Sequence, residues 1–181
     1  MKDSITIGGL PGSGTTTVAK ILKKKLALPY VYAGDMFREM AGEYSMTLAK
    51  FGAYCEQHPE IDVELDKKQE VILMAGHVIL EGRLAGWIAY RNDIPSFKIW
   101  LDCSEDERVR RVMNREGGEF KRVLQEIKER EKSEKKRYKN FYGIDISDTS
   151  IYDIVIDTTN IPPEKVAEEI IEKLRKEAKK V

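Results

Sequence analysis

The chain has 181 residues, with 31 basic side chains balanced by 31 acidic ones for a formal net charge of zero. That length suits one domain with a substantial core, and the even charge leaves no basic field for nucleic acid and no acidic tail. No apolar run reaches the ~20 residues of a membrane span, and no long apolar segment opens the chain, so a cytoplasmic protein without a membrane partner is expected. Cys55 and Cys103 lack metal or redox spacing and are expected as reduced, mostly buried thiols.

The first strand is expected at residues 4–8, carried by Ile5 and Ile7. It runs into Gly9-Leu10-Pro11-Gly12-Ser13-Gly14-Thr15-Thr16-Thr17, after which Val18, Ile21, Leu22 and Leu26 set a helical pattern. Gly9 and Gly14 stand at the G-x-x-x-x-G spacing of a phosphate-binding loop, or P-loop. Glycines let successive backbone N–H groups turn inward around an anion, and the new helix adds its positive N-terminal end. One position departs from the standard motif: Thr15 stands where a lysine would reach the outer phosphates. Thr16 keeps the hydroxyl expected to bind Mg²⁺. The alternative is an ordinary glycine turn between strand and helix.

A short strand is expected over Tyr30–Ala33, ending at Gly34-Asp35, then a helix from Met36 to Tyr44 and a helical pair over residues 45–75. Asp35 suits holding a water on Mg²⁺, and Arg38, three residues on, suits gripping a phosphate. Their bland reading is a helix N-cap and a solvent-facing arginine. His77–Glu81 reads as a strand closed by Gly82-Arg83, and a carboxylate at the end of so apolar a run is costly without a partner or a task. Glu81 sits where the second acidic residue of phosphate-loop proteins lies, the alternative being a Glu81–Arg83 pair that closes a turn.

Phe97–Cys103 reads as the next strand, with Ser104 as N-cap and Glu107 three residues on. Arg108, Arg111 and Arg115 share one helix face ahead of Gly117-Gly118. Glu119 to Tyr142 reads as one long charged helix that Gly143 ends. Within it Val123, Ile127, Arg130, Glu134, Arg137 and Phe141 form a stripe that turns from apolar to charged without changing sides. Such a stripe points to a polar cleft. Tyr152–Asp157 is the last expected strand, and Pro162 or Pro163 opens an amphipathic helix.

Five near-continuous apolar strands separated by helices predict an α/β fold, a parallel sheet covered on both faces. Such sheets bind ligands beyond the carboxyl ends of their strands. Residues Gly9–Thr16, Asp35, Glu81-Gly82-Arg83 and those after Cys103 are therefore expected along one edge.

The segments GLPGSGTTT, AGDMFREMA, ILEGRLAG and EREKSEKKRYKNFYGIDISD together resemble the nucleoside monophosphate kinases, most of all the short archaeal-type cytidylate kinases. Threonine in place of the loop lysine is tolerated in that short type. The resemblance implies a P-loop NTPase-type five-stranded parallel sheet within a single domain, residues 1–181. Its core would take residues 1–34, 76–113 and 150–181, with a helical acceptor-binding segment at about 35–75 and a lid plus long helix at about 114–149. It further implies phosphoryl transfer from ATP to CMP or dCMP with Mg²⁺, by a monomer whose partners are small nucleotides. The donor phosphates would lie in Gly9, Leu10, Pro11, Gly12, Ser13, Gly14, Thr15, Thr16 and Thr17, with Mg²⁺ on Thr16 and, through water, on Asp35. Arg38, Glu81, Gly82, Arg83, Arg130, Glu134 and Arg137 would serve the acceptor. Thr15, Arg111, Arg115 and Arg130 are the candidates for stabilising the transferred group, since some cation must replace the lysine. An adenylate kinase, another small phosphate-loop kinase and a non-catalytic nucleotide-binding module are the alternatives.

Overall fold

A computed structural model of the chain describes residues 4–179, so the outermost positions assigned to the core, 1–3 and 180–181, lie outside the described residues. The strands are β1 (Ser4–Gly9), β2 (Tyr30–Tyr32), β3 (Ile79–Glu81), β4 (Ser96–Asp102) and β5 (Ile154–Asp157). They form one sheet in the order β2-β3-β1-β4-β5, every neighbouring pair parallel. The helices are α1 (Thr15–Leu26), α2 (Ala33–Glu43), α3 (Leu48–Cys55), α4 (Pro59–Ala75), α5 (Ala85–Arg91), α6 (Glu105–Glu116), α7 (Phe120–Tyr142) and α8 (Pro163–Ala178). Among the described residues no helix is long and apolar enough to cross a membrane.

Both sheet faces are buried, which is why the strands carry few polar positions. On one face Ile5, Ile7, Ile99 and Leu101 meet α1 and α8 through Val18, Leu22, Val166 and Ile170. On the other, Leu80 and Trp100 pack on α5 and on Tyr138 of α7. Each of these side chains, fully withdrawn from water, stabilises the fold by about 1.5–3 kcal/mol before chain entropy is charged against it. Two helical groups carry small cores of their own, α2–α4 around Phe51 and Ile61, and α6–α7 around Val109 and Ile127. Both free cysteines, Cys55 and Cys103, are buried.

The order of strands reverses direction at β1, whose neighbours are β3 and β4, so a crevice opens beyond its carboxyl end. Register fixes what lines it: Ile7 pairs with Glu81, and Gly9 with Leu101.

Several boundaries differ from the sequence expectation. Strand β2 stops at Tyr32 and α2 starts at Ala33, so Asp35 lies inside the first helical turn and not at a strand end. The strand β3 begins at Ile79 because Gly76 and His77 both take positive φ, 75° and 54°, and hold the chain in a turn. Helix α5 has no counterpart in the expectation: AGWIAYR is buried almost all round, so it lacks the one-sided period that marks a surface helix.

Candidate active site

The phosphate loop is built between β1 and α1. Gly12 has φ 84°, a left-handed conformation open to glycine, and a Cβ there would stand 2.6 Å from the Arg108 carbonyl oxygen. Gly14 caps α1 with no side-chain hydrogen bond, and no acidic residue occupies the first turn. The positive helix end is thus left to a ligand. Ser13 is buried, its N–H donating to Leu10 O at 3.1 Å, while Thr17 stands exposed on the first turn.

The threonines that follow do not cap the helix. Thr15 Oγ1 and Thr16 Oγ1 each donate to Glu81 Oε1 at 2.7 Å. The Tyr30 hydroxyl donates to the other oxygen, Glu81 Oε2. Burial first, then this carboxylate, hold the Tyr30 phenol well above its ordinary pKa, so it stays a donor. Glu81 is 3% exposed and collects hydroxyls from two elements at the sheet's carboxyl edge. Its sequence alternative, a turn-closing pair with Arg83, is not what forms.

Arg83 instead crosses to α7. Its Nε donates to Glu134 Oε2 at 2.7 Å, and its Nη1 donates to the Gly9 carbonyl. Arg130 Nε donates to the other Glu134 oxygen at 3.0 Å. Burial works against the ionised Glu134, but Arg83 and Arg130 outweigh it and hold the carboxyl down at about 2. The charged stripe of α7 turns inward at Glu134 and Arg137, both buried, whereas Arg130 reaches Glu134 from the surface with its side chain 48% exposed. Asp35 and Arg38 pair with one another at 3.0 Å at the rim, 67% and 46% exposed, with the Arg38 guanidinium 5.5 Å from the Tyr32 ring centre.

Arg137 goes deepest. It is 4% exposed, donates to Gly52 O at 3.3 Å, lies 5.6 Å from the Phe37 ring centre, and approaches Asp62 Oδ2 to 3.3 Å. The Arg137 Nε–H is not aligned on that oxygen, and both atoms lack a hydrogen-bond partner. Burial pushes the Asp62 carboxyl up against the pull of Arg137. Gln69 is buried on the same side of α4, its Nε2 donating to Asp66 Oδ1 at 3.2 Å, and burial pushes Asp66 up to about 7. Sequence reasoning missed this row. Its signal was present: Asp62, Asp66 and Gln69 recur with the spacing of Leu65 and Leu73, a polar insertion into an apolar helix stripe of the kind that marked α7.

A cleft of about 700 Å³ lies against the loop, lined by Gly12, Gly14, Thr17, Asn114, Arg115 and Thr159 among others. Arg115 is 62% exposed and pairs with Glu116 at 2.5 Å. Arg111 is held tightly: Nη1 donates to Thr158 Oγ1 at 3.0 Å and Ser13 O at 3.3 Å, and Nη2 to Thr158 O at 2.6 Å. Arg108, singled out only as part of a helix face, is buried and donates to Pro11 O at 3.1 Å and to Glu131 of α7. Thr158, which follows β5, went unnoticed in the sequence because nothing local distinguishes it.

Thr16 and Glu81 offer hard oxygen donors of the type that suits magnesium. Among the described residues no group of three or more His, Cys, Asp or Glu side chains converges on a metal site.

Known proteins resemble this chain in sequence and in fold. The chain is 51% identical over 156 residues to a cytidylate kinase of Methanocaldococcus jannaschii, covering 86% of this chain and 88% of that one. It is 48% identical over 162 residues to a cytidylate kinase of Pyrococcus horikoshii, covering 90% and 83%. The shikimate kinase of Bacteroides thetaiotaomicron superimposes with a TM-score of 0.60 at 15% identity, covering 95% of this chain and 98% of that one, a likeness of fold alone. A model of the cytidylate kinase-like family matches residues 4–160, and the chain belongs to that family.

Proposed function

We propose that this chain transfers the terminal phosphoryl group of ATP to CMP or dCMP, giving ADP and CDP or dCDP, with magnesium as the required cation. The observation that carries this reading is the double engagement of Arg83, which touches the Gly9 carbonyl of the donor loop and Glu134 of the acceptor-side helix together. One guanidinium thereby joins the two halves that an in-line transfer must bring face to face. The likeness to cytidylate kinases supplies the choice of acceptor.

The acceptor is a phosphate oxygen that is already ionised at neutral pH, so no general base is needed. It attacks the terminal phosphorus, the bond to the bridging oxygen breaks, and ADP leaves with the electron pair. The chain's contribution is position and charge. Backbone N–H groups of Leu10, Gly12, Gly14, Thr15 and Thr16 and the N-terminal end of α1 hold the donor phosphates. Arg38, Arg83 and Arg130 hold the acceptor phosphate, with Glu134 keeping the last two in register. Arg137 donates to the pyrimidine, Arg115 covers the donor from α6, and Arg111 steadies the loop it touches at Ser13. Thr16, with Asp35 through water and Glu81, would hold magnesium, which would supply positive charge to offset that of the transferred group.

The test is an ADP-release assay with CMP, dCMP, UMP and AMP at equal concentration. CMP or dCMP is expected to be turned over fastest. Turnover of AMP at or above that of CMP would assign an adenylate kinase instead, and no turnover of any monophosphate would assign a non-catalytic module.

A further inference from the structure

Three arginines from two segments each hold a carbonyl of the phosphate loop, at every second residue. Arg83 Nη1 donates to Gly9 O, Arg108 Nη1 to Pro11 O at 3.1 Å, and Arg111 Nη1 to Ser13 O at 3.3 Å. Of the neighbouring carbonyls, Leu10 O accepts the Ser13 N–H and Gly14 O the Val18 N–H. All peptide bonds here are trans, so each carbonyl and the N–H that follows it point in opposite directions. Pulling the Gly9, Pro11 and Ser13 carbonyls outward turns the N–H groups of Leu10, Gly12 and Gly14 the other way, into the concave side of the loop. That is the geometry of an anion nest.

We propose that this arginine collar pre-forms the donor site, and that Arg108 is its main positioning residue. Arg108 is the most deeply buried of the three, its side chain 5% exposed against 15% for Arg83 and 28% for Arg111. Arg83 also serves Glu134, and Arg111 also serves Glu107 and Thr158. Arg108 is almost wholly buried and spends its donors on structure alone: Nε on Cys103 O at 3.3 Å, Nη1 on Pro11 O and on Glu131. Burying an arginine is costly unless its donors are matched, and its planar fork, unlike a lysine, can hold several oxygens in fixed directions. Its backbone presses on Gly12 as well, so side chain and main chain of one residue define the loop from the same side. In a loop whose lysine has become Thr15, affinity for the donor phosphates rests on these oriented amides, which makes their orientation the sensitive quantity.

The inference rests on the reading of the loop as a donor-phosphate site, and binding measured without turnover separates the two. Calorimetry with sodium tripolyphosphate, without metal, reports on the loop, and CMP reports on the far side of the cleft. Arg108→Gln is expected to weaken tripolyphosphate binding about 10–100-fold, the usual cost of removing a group that orients a binding residue, and to leave CMP affinity within about threefold. Arg108→Lys, which keeps one donor near Pro11, is expected to recover part of the loss. Should Arg108→Gln fail to fold, Glu131→Gln frees the Arg108 side chain while leaving it in place, and is expected to weaken tripolyphosphate selectively by about threefold or more. Unchanged tripolyphosphate affinity in whichever variant folds, or equal loss of both ligands, overturns the collar. Wild-type protein that does not bind tripolyphosphate at all overturns the reading of the loop itself.

Discussion

Arg83 donates its Nε–H to Glu134 Oε2 at 2.7 Å, from the turn after β3 to the middle of α7, and Arg130 occupies the other oxygen of the same carboxylate. Two cations share one buried anion, so Glu134→Gln leaves two guanidinium groups without their counter-charge. Removing one partner of a buried ion pair costs about 3–5 kcal/mol. The Glu134 carboxyl is held at about 2, below the ordinary 4.5, so its stabilisation is complete above about pH 4.5 and disappears as pH falls toward 2. Denaturant melts should show wild type about 3 kcal/mol more stable than Glu134→Gln at pH 7, with the gap closing between pH 4.5 and 2. A gap independent of pH would mean that Glu134 is not held ionised by this pair.

The cluster on Glu81 separates two threonines that look alike in sequence. Both hydroxyls donate to Glu81 Oε1, yet Thr16 alone sits where the motif places a magnesium ligand. Thr16→Ala is expected to lower kcat about 10²–10³-fold and to raise the magnesium concentration needed for half-maximal turnover. Thr15→Ala removes one of several donors to Glu81 and is expected to stay within about tenfold of wild type. A magnesium titration at saturating ATP and CMP checks both; equal losses would show that Thr15 acts as more than a support for Glu81.

Arg137 and Asp62 form a pair that burial does not favour, since burial pushes the carboxyl up despite the neighbouring cation. Such pairs are often replaceable by apolar side chains without loss of stability, whereas removing one member alone costs several kcal/mol. Asp62→Leu combined with Arg137→Met is therefore expected to melt within about 1 kcal/mol of wild type, and Asp62→Leu alone about 3 kcal/mol below it. CMP turnover is expected to be lost in the double variant. A stable double variant that still phosphorylates CMP would relieve Arg137 of any role with the pyrimidine.

Most of the framework was legible because local signals agreed with one another. Strand, glycine turn and helix followed in order through Gly9 and Gly14, Ser104 accepts the Glu107 N–H at 3.4 Å as a cap should, and Gly143 ends α7 at φ 62°. Helix α5 was not legible, because an element packed on all sides has no period to read. Asp62 and Gln69 were hidden for a different reason: their polarity broke the α4 stripe and made it resemble a solvated helix. The grip of Arg108 on Pro11 and of Arg111 on Thr158 joins residues far apart in sequence, and only the fold brings them together. Arg111 and Arg83 were both expected on phosphates; the structure shows each donating to a loop carbonyl, Ser13 O and Gly9 O.

Gly12 and Gly143 offer a controlled comparison, since both hold positive φ, 84° and 62°, but only one is crowded. A Cβ on Gly12 would meet the Arg108 carbonyl oxygen at 2.6 Å, whereas around Gly143 nothing lies within 4 Å. Alanine at either position pays about 1–2 kcal/mol for the left-handed backbone. At Gly12 it must also push α6 away from the loop, and the α6 backbone carries Arg108 with it. Gly143→Ala is therefore expected to lower stability by about 1 kcal/mol and leave both Michaelis constants within about twofold. Gly12→Ala is expected to raise the KM for ATP at least about tenfold while the KM for CMP stays within about threefold, because the displaced contact lies on the donor side only. Steady-state kinetics with each nucleotide varied in turn, beside thermal melts of both variants, decides the matter. If Gly12→Ala melts lower but keeps its KM for ATP, the distance between α6 and the loop governs stability and not donor binding.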